Sequence, residues 1–196
     1  MARPRKFDEA QVLQLVRDRF WSCGYAATSV DDILKDTGLG KGSLYGAFGD
    51  KRKLFLRTFD EYCAELVDDV RSRLDGPDEG ALARLSALVL AIAEATVGDT
   101  SLRGCLLARG TAELSGLDPE IRAIAQRTFA VLEGLVADSI AAAQRSGGIS
   151  ADADPGGLGA LVLAVLRGIE ALGKGGSSPE TLRSAAETAL ALLPRP

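Results

Sequence analysis

The chain has 196 residues, 46% of them hydrophobic and 26% charged, with a net charge of −4, three cysteines and no histidine. That length suits one or two domains of ordinary size with a full core. The lack of histidine removes the commonest general base and metal ligand, and no Gly-rich nucleotide loop or nucleophile motif stands in for it, so neither an enzyme nor a metal or cofactor is expected. Cys23, Cys63 and Cys105 are far apart and odd in number. They have no metal-ligand spacing, as free thiols in a reducing compartment would. No uninterrupted apolar run approaches the ~18–20 residues of a membrane helix, and the basic N-terminus lacks a signal-peptide pattern. A cytoplasmic location is expected.

Charge is unevenly spread. Residues 1–57 hold eleven Lys/Arg against seven Asp/Glu, a net of +4, whereas the remainder carries −8. A basic head on an acidic body can meet a polyanion through one end while the body is repelled.

Hydrophobic residues recur with a helical period almost throughout. Arg3, Pro4, Arg5 and Lys6 read as a mobile basic arm. Segment 8–23 places Leu13, Val16 and Phe20 on one face, and Gly24 stops it. Either Thr28 with Asp31 or Ser29 with Asp32 fits a capping box for the next helix, which ends near Thr37 and Gly38. A short helix spans about 40–48, Gly49 and Asp50 break it, and Asp50 caps a long helix over 51–74. Beyond Gly76 and Pro77, Asp78 opens a helix to about Thr96. Asp118-Pro119, Asp154-Pro155 and Ser178-Pro179 each offer an N-cap followed by proline at the first helical position. The fold class is all-α, with about nine helices.

Three short helices crowd into residues 8–48, and the turn at Thr37-Gly38-Leu39 joins the last two. This is helix-turn-helix spacing, in which the second helix enters the major groove. Its first turn, Gly40-Lys41-Gly42-Ser43, is small, polar and cationic. Leu44 and Phe48 form an apolar side to be held by the preceding helices. Tyr45, on so short a helix beside Lys41, reads as a phosphate contact rather than core, and Lys51 stands beside the groove. Arg52 and Lys53 read as a solvated face, and Phe20 and Trp21 as core.

Gly24-Tyr25, Thr28-Ser29-Val30, Ile33, residues 37–45 (TGLGKGSLY), Phe48 and Asp50-Lys51 resemble the N-terminal signature of the TetR repressor family over about residues 8–60. The resemblance implies a two-fold symmetric helical dimer that binds a palindromic operator and releases it when a small molecule enters the C-terminal domain. It divides the chain into a helix-turn-helix domain, 1–50, and a ligand-binding and dimerisation domain, 51–196. It puts Gly40, Lys41, Gly42, Ser43 and Tyr45 on the recognition helix, with Thr28 and Lys51 at phosphate positions. The sequence departs from the family pattern at Gly40, where serine is frequent, and at Gly46-Ala47, where an aromatic–histidine pair is common. Base specificity therefore does not transfer.

Segment 155–173 is apolar nearly all round and must be buried on two sides. With the last helix it supplies the expected dimer interface: Leu158, Leu161, Val162, Val165, Ile169, Leu182, Ala186 and Leu190. Internal core is the competing reading. The small-molecule pocket is located only by chain position, with Phe59, Tyr62, Cys105, Arg109, Glu113 and Phe129 as candidates. Residues 103–107 with Glu113-Leu114 resemble a Gly-Cys-Leu…Glu-Leu element of a subset of these repressors. Cys105 reads as a structural thiol or, alternatively, as a sensor of electrophiles or oxidants. A helical ligand-binding protein without DNA function and a DNA-binding dimer without an inducer are the remaining alternatives.

Overall fold

The computed structural model describes residues 7–196, so the basic segment 3–6 lies outside the described residues. Among the described residues there are nine α-helices and no strand: α1 Glu9–Cys23, α2 Val30–Thr37, α3 Lys41–Phe48, α4 Lys51–Leu74, α5 Ala81–Gly98, α6 Leu106–Leu114, α7 Pro119–Arg145, α8 Pro155–Lys174 and α9 Pro179–Ala191. The all-α class holds.

Local chemistry sets the boundaries. Asp8 caps α1 by accepting the Ala10 and Gln11 N–H groups, and Gly24 ends it at φ 87°. Of the two candidate caps for α2, Ser29 is the one used. Its hydroxyl accepts the Asp32 N–H at 3.1 Å, and Asp32 accepts the Ser29 N–H at 2.9 Å. Gly38 takes the left-handed conformation after α2. Asp50 accepts the Lys53 N–H at 2.8 Å. Asp118, Asp154 and Ser178 cap α7, α8 and α9, each ahead of a proline. One start differs from expectation: Asp78 opens a 3₁₀ turn, Asp78–Gly80, before α5 begins at Ala81. Its carboxylate is drawn instead to the Arg145 guanidinium, at 2.6 and 3.0 Å.

By compactness the chain forms two units, one reaching to Cys63 and including 106–125, the other of 64–105 and 126–196. The first is organised around Phe20, Ile33, Leu44, Leu54 and Phe59, all buried. Phe20 meets Phe55 edge-on at 5.0 Å, and Phe55 stacks on Phe59 at 5.5 Å. Trp21, read as core, is only half-buried and packs edge-on against Tyr62 at 5.0 Å. α6 lies tight against α4, because a Cβ on Gly110 would come 2.5 Å from Phe59 Cε2.

In the second unit α5, α8 and α9 pack on one another. The residues around α5 (Asp78–Gly98) and α8 are long and apolar enough to cross a membrane by length and composition. Here their mutual packing accounts for that apolarity. Gly173 lets α8 approach Thr96 of α5 so closely that a Cβ would fall on the threonine methyl. Three residues expected at the dimer interface, Ile169, Leu182 and Ala186, face this interior and are almost fully buried. They are internal core, because α5 occupies the side expected to receive a second subunit.

This packing gives opposite expectations for two glycines. Gly110→Ala should destabilise the protein by about 1–3 kcal/mol through overpacking on Phe59. Gly134→Ala, on an exposed face of α7 with nothing near its Cβ position, should stabilise by about 0.5–1 kcal/mol. Urea denaturation of the two variants checks both signs.

Candidate nucleic-acid interface

α3 has only eight residues and no side-chain cap at Gly40, too few to be stable unaided. It is held by burial of Leu44 and Phe48, at 2% and 7% exposure. The Phe48 ring lies 6.0 Å from Phe7 and under the Arg57 guanidinium at 5.6 Å. With that side fixed, Gly40, Lys41, Gly42, Ser43 and Tyr45 are all exposed, Gly40 as the residue that precedes the helix. Tyr45 is 39% exposed, and Lys41 Nζ lies 6.0 Å from the centre of its ring. Among the described residues no carboxylate forms an ion pair with Lys41, Lys51 or Lys53.

Lys51 stands at the start of α4 with its ammonium 4.2 Å from the centre of the Tyr25 ring, a cation–π arrangement that props the charge up from below. Tyr25 packs against Phe20 and Phe55. Burial, and then the nearby Asp50 charge, raise its phenol above the ordinary tyrosine range.

Thr28 departs from expectation. Its side chain is buried, its hydroxyl donates to the Gly24 carbonyl at 2.7 Å, and its N–H points to the Tyr25 carbonyl at 3.3 Å. It braces the turn before α2 and offers no outward donor to a phosphate. Ser29, next to it, takes the capping role.

Several arginines of the basic head point inwards. Arg19 forms a forked pair with Asp36 at 2.5 and 2.6 Å, joining α1 to α2 and holding the Asp36 carboxyl below its usual range. Arg52, read as a solvated residue, bonds Asp118 at 2.6 and 2.9 Å and Glu120 at 2.9 Å. The guanidinium likewise lowers the Asp118 carboxyl. Asp118 thereby caps α7 and anchors the start of α4 at once. Arg57 pairs with Glu9 and Glu61. Among the described residues of the head, Lys41, Lys51 and Lys53 are among the cations left without a carboxylate partner.

The expected pocket residues belong to both units, four to the first and two to the second. Phe59 is core, and Tyr62 packs on Trp21. Arg109 and Glu113 are engaged with the end of α1: Arg109 donates to the Trp21 and Ser22 carbonyls, and Glu113 accepts the Tyr25 N–H. Their i,i+4 spacing marks a pair on one helix face, but nothing local reveals a target some 88 residues earlier in the chain. In the second unit Phe129 is half-buried and Cys105 buried. Arg167 Nη1 lies 3.0 Å from the Cys105 sulfur and 2.9 Å from Glu170. Burial raises the Glu170 carboxyl above its usual range, against the opposing pull of Arg167 and a hydrogen bond from Cys105.

A groove of about 710 Å³ runs between α8 and α9. Leu158, Leu161, Val162 and Val165 line its α8 wall, and Ala185, Ala189 and Leu192 contribute to the other. Leu161 is 55% and Leu192 75% exposed. Leu190 stands beside this surface but does not line it. Among the described residues no group of three or more His, Cys, Asp or Glu is placed to hold a metal ion.

Residues 17–58 match the family described as bacterial regulatory proteins, tetR family, and residues 81–189 match the tetracyclin repressor-like C-terminal domain. The chain is similar to the HTH-type transcriptional repressor ComR of Escherichia coli, at 26% identity over 98% of this chain and 91% of that protein. It is 32% identical to the HTH-type transcriptional repressor BdcR of Escherichia coli over 71% of this chain and 68% of that protein. Among solved structures, a cysteine mutant of the TetR family transcriptional regulator CifR in complex with 26-base-pair operator DNA superposes with a TM-score of 0.82. Its identity is 26%, over 98% of this chain and 100% of that one. Reduced NemR of Escherichia coli shares the fold, with a TM-score of 0.83 at 17% identity over 95% and 97% of the two chains. With both domains matched and the recognition helix facing outwards, this chain belongs to the TetR family of DNA-binding transcription regulators and is not an enzyme.

Proposed function

We propose that the protein is a homodimeric repressor that grips a palindromic operator with two copies of α3 and lets go when a small molecule binds its C-terminal domain. The observation that carries this reading is the division of α3 into a buried side, Leu44 and Phe48, and an outward side bearing Lys41, Gly42, Ser43 and Tyr45. Gly40 starts the helix with nothing larger than hydrogen, so its end can approach DNA closely. Lys51 adds a phosphate contact. The functional division runs at about residue 50, with residues 1–50 reading DNA and 51–196 pairing and sensing. The protein works in the cytoplasm, where the DNA is.

Pairing is assigned to the α8–α9 groove. Leu158, Leu161, Val162 and Val165 remain of the expected interface, joined by Leu192. A symmetric dimer would set two recognition helices about 34–36 Å apart, one turn of DNA. An inducer acts only if it prefers a geometry that breaks this spacing. Its pocket and identity are open to a thermal-shift screen of small molecules.

Selection of bound duplexes from a random pool should return a palindrome. Lys41→Ala should then weaken binding and reduce the log–log salt slope by about 0.9 for each phosphate no longer neutralised. Tyr45→Ala should weaken binding with the dimer intact. An unaltered slope and affinity in both would reject the assignment of α3.

Leu161→Asp with Leu192→Asp should give monomers by sedimentation and lose operator affinity. A dimer that persists in the double variant would move the interface elsewhere.

A second reading is favoured by the Arg167 side chain. Reactive cysteines sit in electropositive surroundings, and the Cys105 sulfur has a guanidinium nitrogen at 3.0 Å. On this reading an electrophile attaches to Cys105 and releases the operator. Alkylation of wild type, with modification of Cys105 confirmed by mass spectrometry, should lower affinity, and Cys105→Ser should be resistant. Undiminished binding by the modified protein removes this reading.

A further inference from the structure

α1 ends at Cys23, and the last carbonyls of a helix have no partner within it. α6 supplies one. Arg109 Nη1 donates to the Trp21 carbonyl at 2.9 Å and to the Ser22 carbonyl at 3.0 Å, while its Nε donates to Glu113 Oε1 at 2.9 Å. Glu113 Oε2 accepts the Tyr25 N–H at 2.8 Å. Between these points Gly24 turns the chain at φ 87°, and a Cβ there would fall on Glu113 Oε1. One turn of α6 therefore holds backbone atoms on both sides of a glycine that has no room for a side chain. The bonds are charge-assisted, which makes them the stronger kind.

The segment held in this way leads to the DNA-facing surface. The Gly24 carbonyl also accepts the Thr28 hydroxyl, the bond that braces the entry to α2. The Tyr25 ring, next along, lies 6.0 Å from Phe20 and 5.2 Å from Phe55, and carries the Lys51 ammonium above it. Hydrogen bonds of this geometry weaken steeply when stretched or bent. A shift of α6 by about an ångström would break the grip or drag the Gly24–Tyr25 peptide along.

We propose that Arg109 and Glu113 are positioning residues for operator binding, a polar clasp by which α6 sets the place of Tyr25 and Lys51 at the DNA phosphates. The clasp touches no DNA. It acts through the path of the backbone at the end of α1, held by these two side chains. The inference rests on the reading of Lys51 as a phosphate contact.

Two variants and one unmodified measurement test it on the full-length protein and its selected operator duplex. Glu113→Gln keeps the shape and removes the charge. Arg109→Lys keeps the charge and loses the planar fork. Each should lower operator affinity about five- to tenfold, the range of couplings transmitted between residues, and should speed hydrogen exchange at the Tyr25 amide. In a Lys51→Ala background the same changes should cost less than about twofold, which general loosening of the fold would not produce. A full loss persisting without Lys51, or unchanged affinity despite faster Tyr25 exchange, overturns the clasp. In wild type, adding operator should slow exchange at the Tyr25 amide, and unchanged exchange overturns it even if neither variant folds. Wild type that retains no duplex at low salt would instead defeat the functional reading itself.

Discussion

An eight-residue helix without a side-chain cap does not persist in water, so the existence of α3 depends on the withdrawal of Leu44 and Phe48 into the first unit. That withdrawal fixes the rotation of the helix about its axis. At about 100° per residue, hiding positions 44 and 48 turns 42, 43 and 46 outwards and leaves 45 at the margin, while Lys41 is exposed because it stands at the free first turn of the helix. For α3 itself packing and presentation are one event, and disturbing the buried side also re-aims the outer one.

The charges of the head divide by chemistry. Guanidinium groups, planar and able to bond in pairs, tie helices of the head to their neighbours: Arg19 with Asp36 and Arg52 with Asp118. Ammonium groups, compact and strongly hydrated, stay outside at positions 41, 51 and 53. Each partly exposed pair contributes little by itself. Their placement at helix ends gives them an orienting role, as where Asp118 caps one helix and steadies the start of another.

Much of this was legible in the sequence because helix ends are written locally. Asp50, Asp118, Asp154 and Ser178 sit beside the amides they cap, and Gly24 and Gly38 require backbone angles that other residues rarely adopt. The outward face of α3 followed from the same short-range pattern. What stayed hidden depends on distant partners. Nothing in the local pattern of Thr28 marks its hydroxyl as spent on the Gly24 carbonyl, four residues earlier. Arg109 and Glu113 looked like pocket residues because chain position says nothing of the carbonyls they reach. Ile169, Leu182 and Ala186 share an apolar pattern with Leu158 and Leu161, and periodicity cannot tell a face covered by α5 from one left open in the groove.

The reliance on guanidinium–carboxylate pairs has a consequence for the conditions the head can sense. Asp36 and Asp118 have their carboxyls lowered by arginine, so the stability they lend is present above the ordinary aspartate range, about 3.9, and fades only as acidity carries the solution through those lowered values. With no histidine anywhere in the chain, these joints are indifferent to proton concentration across the neutral range. These two joints keep their charges over the whole neutral range, and added salt, which screens partly exposed pairs, is what loosens them.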